Sequence, residues 1–195
     1  TRIYQHCTNQ QVLQAFHIPD LFMARFSFMA LHIWMCKSRL VLENQKAFAL
    51  QTMFEELWLV FHQQMERDNV AQIMLNKYLK EAQQLIYGQC VAYDISYSSI
   101  RNGNDADFVG ALWRNLYNAN QDIHTAYLFH LRDYILREVK RIHALETFDS
   151  ASFVWTVPLP PINVNTSAAI PFNKAQFKKP IVNPKEFRLT HGRKL

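Results

Sequence analysis

Along most of the first 157 positions, apolar residues recur at steps of three and four, the period of helices that lie with one side on a core. Leu50, Phe54, Leu57, Phe61 and Met65 form one such stripe, and Ala71, Leu75, Tyr78, Ala82 and Leu85 form the next. A later stripe of Leu128, Leu131, Ile135, Val139, Ile142 and Leu145 predicts a last long helix. On it, Asp133 with Arg137 and Glu138 with Arg141 are expected as neighbours facing solvent. Pro19 and Asp20 mark the start of an earlier helix of about 23 residues, with Asp20 placed to accept from the free amides of its first turn. Asn102, Gly103 and Asn104 predict a turn, and Asn104 a cap for a short helix carrying Phe108, Leu112, Trp113 and Leu116. Gly88 is a point where the third helix is expected to bend. No strand pattern competes before Phe153, and no repeat of fixed period is present. The expectation is an all-α fold: a single bundle of five or six helices.

The run Leu21 to Cys36 is apolar nearly all round, broken by Arg25, Ser27 and His32. It falls short of the roughly 20 residues that span a bilayer and carries Arg25 inside it, so it reads as a buried core helix and not as a transmembrane segment. An apolar helix of this kind has to be central, or covered on its second side by another protein.

Composition changes the picture at one point. With 195 residues, 49% of them hydrophobic, the chain can bury one core, and its net charge of +5 suggests a mildly basic protein. The charge is uneven. From Pro158 onward there are seven cationic residues and one acid, Glu186, whereas the rest of the chain holds 14 basic and 15 acidic residues. Six of the seven prolines also lie beyond residue 157. The organisation expected is a helical domain over residues 1–157 and an extended, Pro-rich basic C-terminal tail over residues 158–195. In that tail Lys174, Phe177, Lys178, Lys179, Lys185, Phe187 and Arg188, with Phe172, are expected to dock on an anionic surface, RNA or acidic protein. The chain begins at Thr1 and not at methionine, which leaves room for a removed targeting segment that these residues do not reveal.

The search for catalytic chemistry is mostly negative. There is no Gly-rich phosphate loop, no G-x-S-x-G and no H-E-x-x-H. Cys7, Cys36 and Cys90 are odd in number and far apart, which speaks against a disulfide framework. His32 and Cys36 stand one helical turn apart, as two metal ligands would. They supply only two ligands, so a core histidine bonded to a neighbour is the stronger reading. His62 and Glu66 have the same spacing and read as a solvated contact. His130-Leu131-Arg132-Asp133 looks like a kinase catalytic loop but falls inside an amphipathic helix without the other kinase parts. The aromatic residues (Phe22, Phe26, Phe54, Phe61, Trp113) fall at core spacing, which disfavours base stacking as their role. A non-catalytic protein without metal or cofactor is expected.

Short motifs then point further. Leu31-His32-Ile33-Trp34-Met35 followed by Arg39-Leu40 resembles the L-H-x-W-M/L motif and trailing arginine of the ubiquinol–cytochrome c chaperone family. Leu57-Trp58, Tyr93-Asp94, Ala111-Leu112-Trp113-Arg114-Asn115 and Phe153-Val154-Trp155 resemble its later blocks, in order, over about Asp20 to Pro158. The resemblance implies an all-helical mitochondrial assembly factor for the cytochrome bc1 complex, in the matrix or at the matrix face of the inner membrane. It further implies a small helical partner protein, contact with the mitochondrial ribosome, and newly made cytochrome b as client. His32, Trp34, Arg39, Asp94, Trp113 and Arg114 carry over as motif positions, and their recurrence can reflect packing as well as client contact. Trp34 and Trp113 are expected to anchor the core, and Asp94 to be a buried acceptor for Arg39 or Arg114. The tail after Pro161 has no counterpart in the family. It raises the alternative of a structural subunit of a mitochondrial ribosome or respiratory complex that has kept the chaperone fold.

Overall fold

The computed structural model describes residues 2–40, 46–100 and 103–157, with residue 164 and residues 172–174 of the tail, and leaves the side chains of residues 46 and 47 aside. Seven helices follow in order: α1 (Arg2–Cys7), α2 (Gln10–Ala15), α3 (Phe22–Leu40), α4 (Lys46–Arg67), α5 (Gln72–Ile100), α6 (Ala106–Leu116) and α7 (Thr125–His143). There is no strand among the described residues, so the fold is all-α.

α3 is the axis of the bundle, lying against α1, α4, α5, α6 and α7. Every residue from Phe26 to Cys36 is buried, which is the outcome an all-round apolar helix requires when neighbours cover each of its sides. Each large apolar side chain taken fully out of water there contributes roughly 1.5–3 kcal/mol before conformational entropy is set against it. No helix is long and apolar enough to cross a membrane among the described residues.

Local chemistry sets the helix ends. α2 and α4 both stop on a residue in the left-handed region, His17 (φ 51°) and Asn69 (φ 53°). In each case the following amide reaches back to close the last turn, Ile18 to the Leu13 carbonyl at 2.9 Å and Val70 to the Met65 carbonyl at 3.0 Å. The turn after Asn69 is short, so α4 and α5 form a hairpin. The N-cap of α6 is Asp105 and not Asn104, and its side chain makes no capping bond; Asn104 Oδ1 accepts from the Ala106 amide at 3.2 Å just ahead of the helix, and Gly103 (φ +77°) makes the turn before it.

Some expectations are corrected. The two short helices before Pro19 show no clear stripe in sequence and form because α1 packs on α3. Asp20 pairs with Arg25 at 3.1 Å instead of capping α3. α5 runs unbroken through Gly88 for 29 residues, about 43 Å, because its far half is held against α3 and α6. Ala71 precedes α5, and Leu145 lies beyond α7 and is 39% exposed, so neither belongs to its stripe. Glu138 does not face solvent. Its side chain is fully buried, because the segment from Phe153 to Thr156 folds back over α7. Asp133 pairs with Arg132 at 2.7 Å and not with Arg137.

Candidate functional site

The L-H-x-W-M segment of α3 presents side chains in several directions, and each one meets a different element. His32 points toward α1 and α7. Its Nδ1 is 2.8 Å from the Phe28 carbonyl, which can only accept, so Nδ1 carries the proton. Nε2 therefore accepts from the Tyr134 hydroxyl at 3.0 Å, and the Tyr134 oxygen accepts in turn from His6 Nε2 at 2.9 Å. One chain of hydrogen bonds thus joins α1, α7 and α3. Cys7 Sγ lies 3.4 Å from His32 Nδ1, and Trp155 seats its ring edge-on to the imidazole with centroids 4.6 Å apart.

Burial controls the charge state of this cluster. Removal from water lowers the His6 pKa to about 4, and it holds His32 well below the usual histidine value, reinforced by the nearby His6 ring. The same cause raises the thiol of Cys7, that of Cys36, and that of Cys90 to about 12. Neutral imidazoles with both nitrogens of His32 engaged, beside thiols held protonated, form a structural core network, with no nucleophile activated among them. Among the described residues no group of three or more His, Cys, Asp or Glu could hold a metal.

Trp34 points the other way. Its ring packs against Tyr93, Tyr97 and Phe108, and its Nε1 donates to Asp94 Oδ1 at 2.8 Å. The second oxygen of Asp94 accepts from Lys37 Nζ at 2.5 Å. Asp94 is half-exposed and serves Trp34 and Lys37, which corrects the expectation of a buried acceptor for Arg39 or Arg114. Arg39 instead donates to the Leu145 and Glu146 carbonyls at 3.0 and 3.3 Å, which ties the end of α3 to the segment that follows α7. Trp113 is buried, and its Nε1 donates to the Asn120 carbonyl at 2.7 Å, closing the loop between α6 and α7. Arg114 is half-buried, with burial lowering its pKa and Asp107 raising it.

A polar position that sequence reading did not single out as buried completes the scaffold. Glu138 accepts from Arg141 Nη1 at 2.5 Å and from the hydroxyl of Thr156, and Arg141 also donates to the Val154 carbonyl at 3.1 Å. With the Arg141 guanidinium 5.1 Å over the Phe153 ring, these bonds strap residues 153–156 across α7 and hold Trp155 against His32. Tyr134 and Glu138 sit on the buried side of α7, but no local signal distinguishes a buried Glu on such a helix from an exposed one.

Of the tail residues, Phe172 and Lys174 are described. Phe172 stands edge-on to Trp113 and Phe129, and Lys174 Nζ donates to the Ile123 carbonyl at 2.9 Å and to the Gln121 carbonyl, so this part of the tail lies on its own domain. Phe177, Lys178, Lys179, Lys185, Phe187 and Arg188 lie outside the described residues.

Most of the motif side chains turn into the bundle, whereas several large apolar side chains remain exposed on α4 and α5. Leu50, Phe54 and Trp58 on α4 and Tyr87 on α5 line an open, shallow groove together with Gln51 and Glu55. Along α5, Tyr87, Val91 and Ile95 are 48%, 55% and 66% exposed, at a spacing of four.

The family model described as ubiquinol-cytochrome C chaperone matches residues 14–155, more than half of the chain. That match closes on Trp155, the residue seated against His32. No curated protein and no solved structure matches the chain.

Proposed function

The chain belongs to the ubiquinol–cytochrome c chaperone family, and on that premise we propose that it holds newly made cytochrome b during assembly of the cytochrome bc1 complex in mitochondria. It acts on the matrix side, near the mitochondrial ribosome, together with a small helical partner. Binding without turnover is the whole of its activity. One observation supports this reading best: the motif side chains His32, Trp34, Arg39 and Trp113 are committed to internal bonds, while large apolar side chains such as Leu59, Tyr87, Val91 and Ile95 stay exposed on α4 and α5. A helical scaffold with exposed apolar side chains is suited to binding another protein.

The test is isolation of the tagged full chain from mitochondria in high salt. Cytochrome b with a small helical protein is the expected set, and loss of the chain is expected to lower assembled bc1 complex. A stoichiometric set of ribosomal or respiratory proteins without cytochrome b would favour a permanent subunit instead. Co-sedimentation with mitochondrial ribosomes tests the proposed place of action separately.

A further inference from the structure

We infer that the loop joining α6 to α7 is a binding site for an aromatic-x-lysine segment, and that the chain's own Phe172-Asn173-Lys174 fills it as a latch that opens without unfolding the helices. The assignment goes beyond the proposed function and does not depend on what the scaffold holds.

The site is assembled by bonds of the helical domain alone. Trp113 is held by its bond to the Asn120 carbonyl at 2.7 Å, and the Arg132 guanidinium lies over the Phe129 ring, 4.8 Å from its centroid. Arg132 is itself paired with Asp105 and Asp133. The loop is folded on itself, with the Ala119 amide reaching the Trp113 carbonyl at 3.2 Å and the Asn120 amide the Tyr117 carbonyl at 2.9 Å. Asn118 and Ala119 take left-handed φ values of 49° and 54° to make that turn, and the Asp122 amide donates to Asn120 Oδ1 at 2.9 Å. All of these contacts are made within residues 105–133. Two oriented rings and a shaped loop are therefore in place whether or not the tail is seated.

Onto this frame the tail brings two groups of different chemistry. Phe172 is half-buried and edge-on to both rings, with centroids 6.4 Å from Trp113 and 6.2 Å from Phe129, the arrangement that aromatic quadrupoles favour. Lys174 Nζ donates to the Ile123 carbonyl at 2.9 Å and to the Gln121 carbonyl, so alternate residues of the loop aim their oxygens at one cation. Asp122, between them, favours the charged ammonium and opposes the burial that lowers its pKa. The Lys174 amide returns to the Phe172 carbonyl at 3.1 Å, a tight turn that fixes the ring and the ammonium at one separation. Recognition thus asks for an aromatic ring and, two residues later, a lysine.

Partial exposure makes the segment a latch and not a part of the core. Phe172 packs against the buried Trp113 while Phe172 and Lys174 each stay partly in water, so withdrawal opens the niche and leaves the bonds beneath it intact. A segment carried on the same chain stands at an effective concentration of about a millimolar, so an intrinsic Kd of about 0.1 mM keeps the site about nine-tenths closed.

The experiment titrates a fluorescent peptide of residues 171–176 into the full chain and into the full chain carrying Phe172→Ala/Lys174→Ala. The peptide is expected to bind the double variant with a Kd of about 0.1 mM or tighter, and the unaltered chain at least about tenfold more weakly because its site is filled. A control peptide carrying Phe172→Ala and Lys174→Glu should not bind, and adding Phe129→Ala or Asp122→Asn to the double variant should weaken the native peptide. Helical content of the double variant should match that of the unaltered chain. Trypsin reads the latch without a peptide: cleavage after Lys174 should be faster in Phe172→Ala than in the unaltered chain. Equal peptide affinity for the two chains, no binding to the double variant at millimolar peptide, equal binding of the control peptide, lost helical content in the double variant, or an unchanged rate of cleavage after Lys174 would each overturn the inference.

Discussion

The Glu138 carboxylate accepts a hydrogen bond from the Thr156 hydroxyl, 18 residues further along the chain, and through it the end of the matched region is fastened over α7. The glutamate is fully buried, and its charge is answered by Arg141 at 2.5 Å and, more distantly, Arg137 at 3.8 Å. A buried carboxylate survives only with such partners, so its role is to hold the strap that seats Trp155 on His32.

Removal of that carboxylate is expected to loosen the strap first. Glu138→Ala should destabilise by about 2–3 kcal/mol, below the usual cost of breaking a fully buried pair because both arginines are partly exposed. Thr156→Val should cost about 1 kcal/mol. Urea unfolding measures both, and an unchanged midpoint for Glu138→Ala would show that the strap carries no stability.

Acid should weaken the fold through the two buried histidines. Their folded pKa values are depressed by burial, His6 to about 4 and His32 well below 6.5, so between those values and 6.5 the unfolded chain binds protons that the folded chain does not. Stability contributed by the neutral rings is therefore full above pH 6.5 and falls as pH is lowered, by up to about 1.4 kcal/mol per pH unit for each histidine. The share from His6 levels off near pH 4. Unfolding series from pH 7.5 to 4.5 check this, and His6→Phe should flatten the slope.

Trp113 tests packing against hydrogen bonding at one site. Trp113→Ala should cost about 3–5 kcal/mol as a buried aromatic truncation. Trp113→Phe keeps much of the packing and loses the bond to Asn120, a loss of about 1 kcal/mol beyond the volume change. Unchanged stability with lost partner binding would move Trp113 from the core to an interface.

At Asp94, the two partners predict different outcomes for different substitutions. Asp94→Asn retains an oxygen for the Trp34 indole and gives up only a part-exposed pair with Lys37, so its cost should stay below about 1 kcal/mol. Asp94→Leu strands the indole N–H and should cost about 1–3 kcal/mol. Thermal unfolding of the two variants side by side decides it, and equal costs would mean that the hydrogen bond contributes nothing.

Much of this protein is legible in sequence because its cause is local. The 3.6-residue period of α4, α5 and α7, the all-round apolarity of α3 and the turn at Gly103 are dictated by burial and by backbone sterics within a few residues. The ordered motifs from His32 to Trp155 carry the family in the same local way. What tertiary structure alone decides is which polar groups meet. Glu138 and Asp133 sit on the same helix, yet one is buried and the other exposed, because a strap from residues 153–156 covers one side only. Asp94 takes Trp34 and Lys37, and Arg39 takes the carbonyls of residues 145 and 146, because α3 lies between α5 and α7 with its two sides facing different partners. The spare apolar row on α5 was hidden for the same reason: Tyr87, Val91 and Ile95 have the composition of core residues, and only the placement of α4 and α3 leaves them uncovered.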